Sequence, residues 1–374
     1  MNAFLCGYYG MKNSGDDALL YSTAWAAKHL LNVRSVSVSS PCPMSLPGFG
    51  IQPPGLTEAQ TYRGQRRLQH YVAAYRSERV IFGGGSVFHT AQDISIKNHL
   101  MSLSKGHSHY ACGVGLGPFK TVSAEKACRK FLNKCDFVGV RDKESLDVAL
   151  SLAPDAHVQL TFDLAPLLLV QKERSLKQTA RSGIAVSLCP VFDCADDDQE
   201  QRMLLELAEA LRQTQQETGE VIYLIDFNGH DSLGDRQIHQ KLRSLLGEEC
   251  TVRHIPYDPD PISVLQRMYR FKLLVGMRLH AAVFAYLTGT PAFSLEYHSK
   301  CGGWSEQIGQ RPEYRFSTAT LDADQLKNQA ISGLQRSFLM PSLPVSRAIA
   351  LSKTNWSNDY VNVNPSLLCG HPAL

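Results

Sequence analysis

Between Ala3 and Leu295 the chain repeats one pattern: a short apolar run, a turn rich in glycine or charge, then a longer helix-like segment. Ala3–Cys6, Val80–Phe82, Tyr110–Val114 and Phe137–Val140 show no polar alternation, so each is predicted to be a strand covered on both faces. Strands separated by helices cannot pair as hairpins. They form a parallel sheet with helices packed on it, and such sheets bind ligands beyond the carboxyl ends of their strands.

The pattern runs twice. The first set holds Ala3–Cys6, a helix from Asp16 to about Leu31, Val36–Ser39, a helical Thr57–Ser77 and the strands at 80, 110 and 137. The polar segment Gln171–Arg181 has no apolar period and is predicted to be a linker. The second set alternates the strands Ile184–Leu188, Val221–Asp226, Thr251–Ile255, Phe271–Val275 and Ala292–Leu295 with helices at Asp198–Thr214, Gly234–Leu246, Pro261–Tyr269 and Ala281–Leu287. The expected organisation is therefore α/β with two doubly wound, Rossmann-like domains, residues 1–172 and 182–335. An extension, 336–374, carries a helix near Ser346–Trp356. At 374 residues two domains is also the expectation from length.

Composition narrows the function. Apolar residues make up 44% and charged residues 20%, as in a soluble globular protein, and a net charge of +3 gives no case for nucleic acid. Ten cysteines lie scattered without a CxxC pair, which suggests thiols in a reducing compartment and neither a disulfide frame nor a zinc site. His107 and His109 lack a third ligand at a sensible spacing, and His89 and His99 read as further loop histidines, so no metal is expected. MNAFLCGYYG is unlike a signal peptide, and no run reaches the ~18 apolar residues of a membrane span. The expectation is a cytoplasmic protein. Arg63, Arg66, Arg67 and Arg76 on the 57–77 helix read as a solvated face, with peripheral contact to an anionic membrane as the secondary reading.

Candidate site residues gather where strands hand over to helices. Arg278, Leu279 and His280 stand at the start of the helix after Phe271–Val275, and Arg141 stands in the same position after Phe137–Val140. A helix N-terminus favours anions, and a forked guanidinium holds carboxylate or phosphate. The plainer alternative is an arginine paired with a structural carboxylate and a histidine capping its own helix. Gly83–Gly85 follows a strand and either lets backbone approach a ligand or makes a tight turn. Near the N-terminus Gly7, Gly10 and Gly15 do not keep dinucleotide-binding spacing. Asp16 and Asp17 either cap a helix or, with Tyr8 or Tyr9, face a sugar. Asp163, a lone carboxylate in an apolar setting, is either a structural cap or catalytic.

Taken together the motifs resemble the polysaccharide pyruvyl transferases: Gly7-Tyr8-Tyr9-Gly10 with Asn13-x-Gly15-Asp16-Asp17-Ala18-Leu19-Leu20, Gly83-Gly84-Gly85-Ser86, Gly113-x-Gly115-x-Gly117-Pro118, Val140-Arg141-Asp142-x-x-Ser145, Asp163-Leu164-Ala165, Met277-Arg278-Leu279-His280-Ala281, Gly289-x-Pro291 and Tyr297-x-x-Lys300. Each is weak alone; the ordered set is specific. The resemblance implies a GT-B-like fold with the active site in the cleft between domains. It implies transfer from phosphoenolpyruvate, as co-substrate and without a further cofactor, onto two hydroxyls of a sugar of a polysaccharide, lipid-linked oligosaccharide or glycoside. The donor-binding residues would be Arg141, Arg278, Leu279 and His280, with Gly84 and Gly85; the acceptor side would hold Tyr8, Tyr9, Asn13, Asp16 and Asp17. His280 is the proposed proton donor, with Asp17, Asp163 or Asp16 as base. Two other readings stay open: a GT-B glycosyltransferase using a nucleotide sugar, and a non-catalytic sugar-binding subunit of a polysaccharide assembly complex.

Overall fold

A computed structural model describes residues 1–52, 62–86, 88, 90–106, 108–171, 180–190, 197–335 and 338–356, without the side chains of 197, 299 and 300. His89, His107, most of the linker and the start of the 57–77 segment lie outside the described residues.

The first unit is built from β1 (Asn2–Cys6), α1 (Ser14–His29), β2 (Ser35–Val38), a hairpin of β3 (Met44–Leu46) and β4 (Gly50–Gln52), α2 (Gln65–Arg76), β5 (Arg79–Gly85), α3 (Ala91–Leu103), β6 (Tyr110–Val114), α4 (Val122–Leu132), β7 (Phe137–Val140), α5 (Lys143–Leu152) and β8 (Val158–Leu160). Its six-stranded sheet runs β2-β1-β5-β6-β7-β8, parallel throughout. The period-two geometry of β1 sends Ala3 and Leu5 to one core with Leu19, Leu20 and Ala24 of α1, and Phe4 and Cys6 to the other with Phe82 and Phe131.

The second unit contains β9 (Ile184–Ser187), α6 (Asp197–Thr218), β10 (Ile222–Ile225), α7 (Arg236–Leu246), β11 (Val252–Ile255), α8 (Pro261–Met268), β12 (Leu273–Gly276), α9 (Leu279–Thr288), β13 (Ala292–Glu296), α10 (Ser299–Gln307), β14 (Arg315–Ser317) and α11 (Ala323–Gln335). Its sheet, β11-β10-β9-β12-β13-β14, is again parallel, in the order of a dinucleotide-binding fold. In both sheets the connections change direction beside the first strand: between β1 and β5 in one, and between β9 and β12 in the other. Ligands of open α/β sheets bind at such reversals.

Three local features add to the sequence reading. The Pro- and Gly-rich stretch after β2 contains the β3–β4 hairpin, held because Met44 and Leu46 alternate inward to buried positions. The glycines at 83–85 continue β5 and pair with β6, so the tight turn, one of the two readings of the sequence, is not formed. The region beyond Trp304 adds a sixth strand, β14, beside β13.

The sequence boundaries shift as well. Lys12–Gly15 belongs to the second unit, as do the described residues from 180 to Val345, and the described chain from Ser346 returns to the first. The returning segment, α12 (Val345–Lys353) and a short 3-10 turn to Trp356, is anchored by Asn355. Its buried amide accepts from Gly113 N at 2.6 Å and Thr161 Oγ1 at 2.7 Å, and donates to the Phe162 carbonyl at 3.0 Å. Where the sequence suggests one extension, 336–374, the structure divides its described part between the two units.

Candidate active site

In the first unit Arg141 follows β7, and its amide donates to the Val114 carbonyl at the end of β6. Its guanidinium donates from Nη2 to Ser86 Oγ (2.9 Å) and from Nε to Asp142 Oδ2 (3.3 Å), and it lies over Gly115, where a Cβ would come within 3.1 Å of Nη2. Asp142 also caps α5 by accepting from Ser145 N, and Ser145 Oγ accepts from Leu116 N. Arg141 is thus buried and held between the ends of three strands, with a carboxylate beside it.

The neighbouring residues separate into structural and accessible. Tyr9, a candidate for covering a sugar, is a core residue: it is buried and its hydroxyl donates to the Gly83 carbonyl at 2.7 Å. Burial pushes its phenol well above the usual range. Tyr8 points the other way and is 50% exposed. Asp17 is buried and accepts from Gly10 N at 3.1 Å, bracing the Gly7–Gly10 turn, while Asp16 is half-buried. Asp163 is buried and accepts from Ala165 N, capping the 3-10 turn Ala165–Val170. Gly84 has φ +75°, and a Cβ there would meet Leu19 at 2.9 Å, so close packing of α1 accounts for it; Gly85, φ +81°, accepts from Gly115 N.

In the second unit the junction of β12 and α9 carries Arg278, Leu279 and His280, all half-buried. Arg278 is the N-cap residue, and its own side chain does not cap α9. Its Nε and Nη2 both donate to Asp235 Oδ1, the former at 3.0 Å. Asp235 is 0% exposed, and its other oxygen accepts from Phe227 N and Asn228 N, both at 2.9 Å. The paired-carboxylate reading of Arg278 is therefore present in the structure. Burial alone would lower the guanidinium pKa, but Asp235 outweighs it and the net shift is upward.

Lys12–Gly15 frames His280 from the other side. Ser14 N donates to the Phe227 carbonyl, Gly229 N to that of Lys12, and Asn13 Oδ1 accepts from Gly15 N at 3.0 Å. Asn13 therefore shapes this turn. A Cβ at Gly15 would overlap Nδ1 of His280, so glycine is needed for the imidazole to lie where it does.

Sequence reasoning missed Asp235. It stands in an ordinary helix-starting position before α7, and its burial depends on Arg278, 43 residues away. Also missed is the group behind it. His239 Nε2 accepts from Leu188 N at 3.0 Å, which places the proton on Nδ1 for donation to Asp226 Oδ1 at 2.6 Å; Asp226 Oδ2 meets His254 Nε2 at 2.8 Å. These three side chains are close enough to be considered a metal set. However, a protonated Nδ1 has no lone pair to give, so the group acts as a hydrogen-bond relay tying α7 to β9, β10 and β11. Beside the Arg278 turn, a cavity of about 190 Å³ is lined by Met277, Tyr297, Glu200, Glu296, Ser317 and Thr318 among others.

Residues 13–299 match the family model for polysaccharide pyruvyl transferases. A search of curated proteins returns no match. Among solved structures, the chain is similar to the UDP-GlcNAc 2-epimerase of Methanocaldococcus jannaschii, with a TM-score of 0.61 at 8% identity over 94% of this chain and 98% of that one. It is similar to a putative UDP-N-acetylglucosamine 2-epimerase of Listeria monocytogenes, with a TM-score of 0.60 at 11% identity over 96% and 92%. It is also similar to Anabaena Alr3699/HepE in complex with UDP and glucose, with a TM-score of 0.53 at 12% identity over 95% and 93%. At such identities the likeness is one of fold, two Rossmann-like halves of GT-B type. The family match spans Arg141, the Arg278–His280 junction and the strands that carry them, and the chain belongs to the polysaccharide pyruvyl transferase family.

Proposed function

We propose that the protein transfers the carboxyvinyl-derived group of phosphoenolpyruvate onto two hydroxyls of a sugar in a polysaccharide or its precursor, giving a pyruvate ketal and phosphate. The observation that carries this is the way Asp235 holds Arg278. The carboxylate occupies the Nε side of the fork, which turns the Nη1–Nη2 end toward a ligand at a helix start that the Arg278 side chain does not itself cap. Phosphoenolpyruvate presents a carboxylate and a phosphate on a three-carbon frame, and both suit such a site. Arg141, in the first unit, is proposed as the second cationic contact.

The proton balance gives His280 its role. Its imidazolium protonates the methylene carbon, which builds positive charge at the carbon bearing the phosphate ester. One sugar hydroxyl attacks that carbon, phosphate leaves, and the second hydroxyl closes the ketal. Two hydroxyl protons are released: one restores His280 and the other goes to the departing phosphate. Arg278 and the first amides of α9 stabilise the charge that moves onto the leaving group.

The test is phosphate release from phosphoenolpyruvate across a panel of galactosides, glucosides, mannosides and N-acetylated sugars. Arg278→Lys, which keeps charge and loses the fork, is expected to cut turnover by about 100-fold or more while the protein stays folded, with a melting transition lowered by only about 2–4 °C. Full turnover in the folded variant removes Arg278 from the donor site. If a nucleotide sugar stabilises the protein against heat and phosphoenolpyruvate does not, the reaction itself is wrong.

A further inference from the structure

Helix α2 presents an apolar stripe that nothing among the described residues covers. Leu68, Val72 and Tyr75 are 50, 40 and 59% exposed, and Tyr62 just before the helix is exposed too. At 3.6 residues per turn these three span about 60° of the helix, with Arg67 about 80° to one side and Arg76 about 40° to the other. Both arginines are exposed, as is Arg63, and Lys105 Nζ lies 5.7 Å from the Tyr75 ring. The opposite side of α2 seats the helix on its sheet: Ala74 is buried, and the His70 ring lies 5.7 Å from Phe4.

On the helix itself the charge is of one sign, with the exposed Glu78 just beyond its end. From Tyr62 to Ser77 there are four arginines and no carboxylate, so this stretch carries +4 where the whole chain carries +3. A second copy docked on the same face would set arginine against arginine, which argues against self-association. An anionic bilayer meets both halves of the pattern: guanidiniums reach the headgroups while Leu68, Val72 and the tyrosine rings enter the apolar boundary. We infer that α2 docks the protein on an anionic phospholipid surface. The helix runs back to the start of β5, so its first turn lies toward the sheet edge where β5, β6 and β7 end and Arg141 stands.

Flotation of the full chain with vesicles tests this without any activity. The protein is expected to float with phosphatidylglycerol–phosphatidylcholine vesicles at low salt and to stay behind with pure phosphatidylcholine. Each arginine near the surface is worth roughly fivefold in partitioning, so Arg67→Gln with Arg76→Gln should weaken binding by about 20-fold. Leu68→Gln, Val72→Gln and Tyr75→Gln together should remove it, with circular dichroism and melting unchanged because all three side chains are outside the core. Equal binding to neutral vesicles, no binding to anionic ones, or variants that bind like wild type would each overturn the inference. So would a concentration-dependent dimer that the triple glutamine variant abolishes.

Discussion

Removing Asp235 is the most demanding test of how the second unit is built. The carboxylate is fully buried and serves four donors, two amides from the loop after β10 and two nitrogens of Arg278. Asp235→Ala strands both amides and leaves a guanidinium, 21% exposed, without its counter-charge. Breaking a buried pair in this way costs about 3–5 kcal/mol, and the lower end applies because Arg278 can draw some water. At roughly 2–4 °C per kcal/mol for a unit of this size, the melting transition should fall by about 10 °C. Arg278→Gln should cost less, about 1–2 kcal/mol, because Asp235 keeps its two amides. Calorimetry on the two single variants and the double variant gives the coupling energy, expected at about 1–3 kcal/mol. If Asp235→Ala melts like wild type, or Arg278→Gln costs as much, the carboxylate is not the anchor described.

Three further predictions rest on separate parts of the molecule. Gly15→Ala should displace the His280 ring and lower phosphate release by about 100-fold while costing only about 1–2 kcal/mol of stability; normal initial rates would show that the ring position is unimportant. Asn355→Leu should cost about 2–3 kcal/mol, because it strands Gly113 N and removes the amide's bonds to the Phe162 carbonyl and to Thr161 Oγ1, which keeps its bond to the Val140 carbonyl; urea unfolding measures it, and a change below about 1 kcal/mol would contradict the anchoring role. Burial, with Lys97 assisting, lowers His70 from 6.5 to about 4, so the unfolded chain takes up this proton first as pH falls. Stability from the neutral ring is complete above pH 6.5 and is lost as pH falls toward 4, on the order of 2 kcal/mol. His70→Gln should flatten urea-unfolding stability over that window, and unchanged slopes would refute it.

The architecture was legible because parallel strands buried on both faces must be apolar throughout, and strands such as Tyr110–Val114 and Phe137–Val140 keep their predicted bounds. Glycine misled at 83–85. Its low strand propensity is compatible with a turn, yet pairing with β6 carries the strand through these residues, with Gly84 and Gly85 at the positive φ that glycine allows and Leu19 and Thr23 packed close. Adjacent tyrosines could not be told apart by type, since the strand-to-turn geometry alone decides that Tyr9 enters the core and Tyr8 leaves it. Asp235 and Asn355 were illegible for a common reason. Each is a polar residue whose burial is made favourable by donors far away in sequence, and no local pattern records such pairings.

The two arginine junctions solve the same problem differently, and the difference bears on what each can hold. Asp142 lies next to Arg141 in sequence and divides its carboxylate between the guanidinium and the cap of α5, so charge and helix start are partly neutralised together. Asp235 stands just before another helix, α7, and directs none of its side chain to the amides of either helix start. Neither Asp235 nor the Arg278 side chain caps the α9 N-terminus, while Arg278 is still fixed in direction. A site meant only for strong anion binding would leave its arginine unpaired. Pairing weakens the attraction and sharpens the geometry, which suits the reaction proposed above, in which phosphate would first be gripped in one orientation and then released.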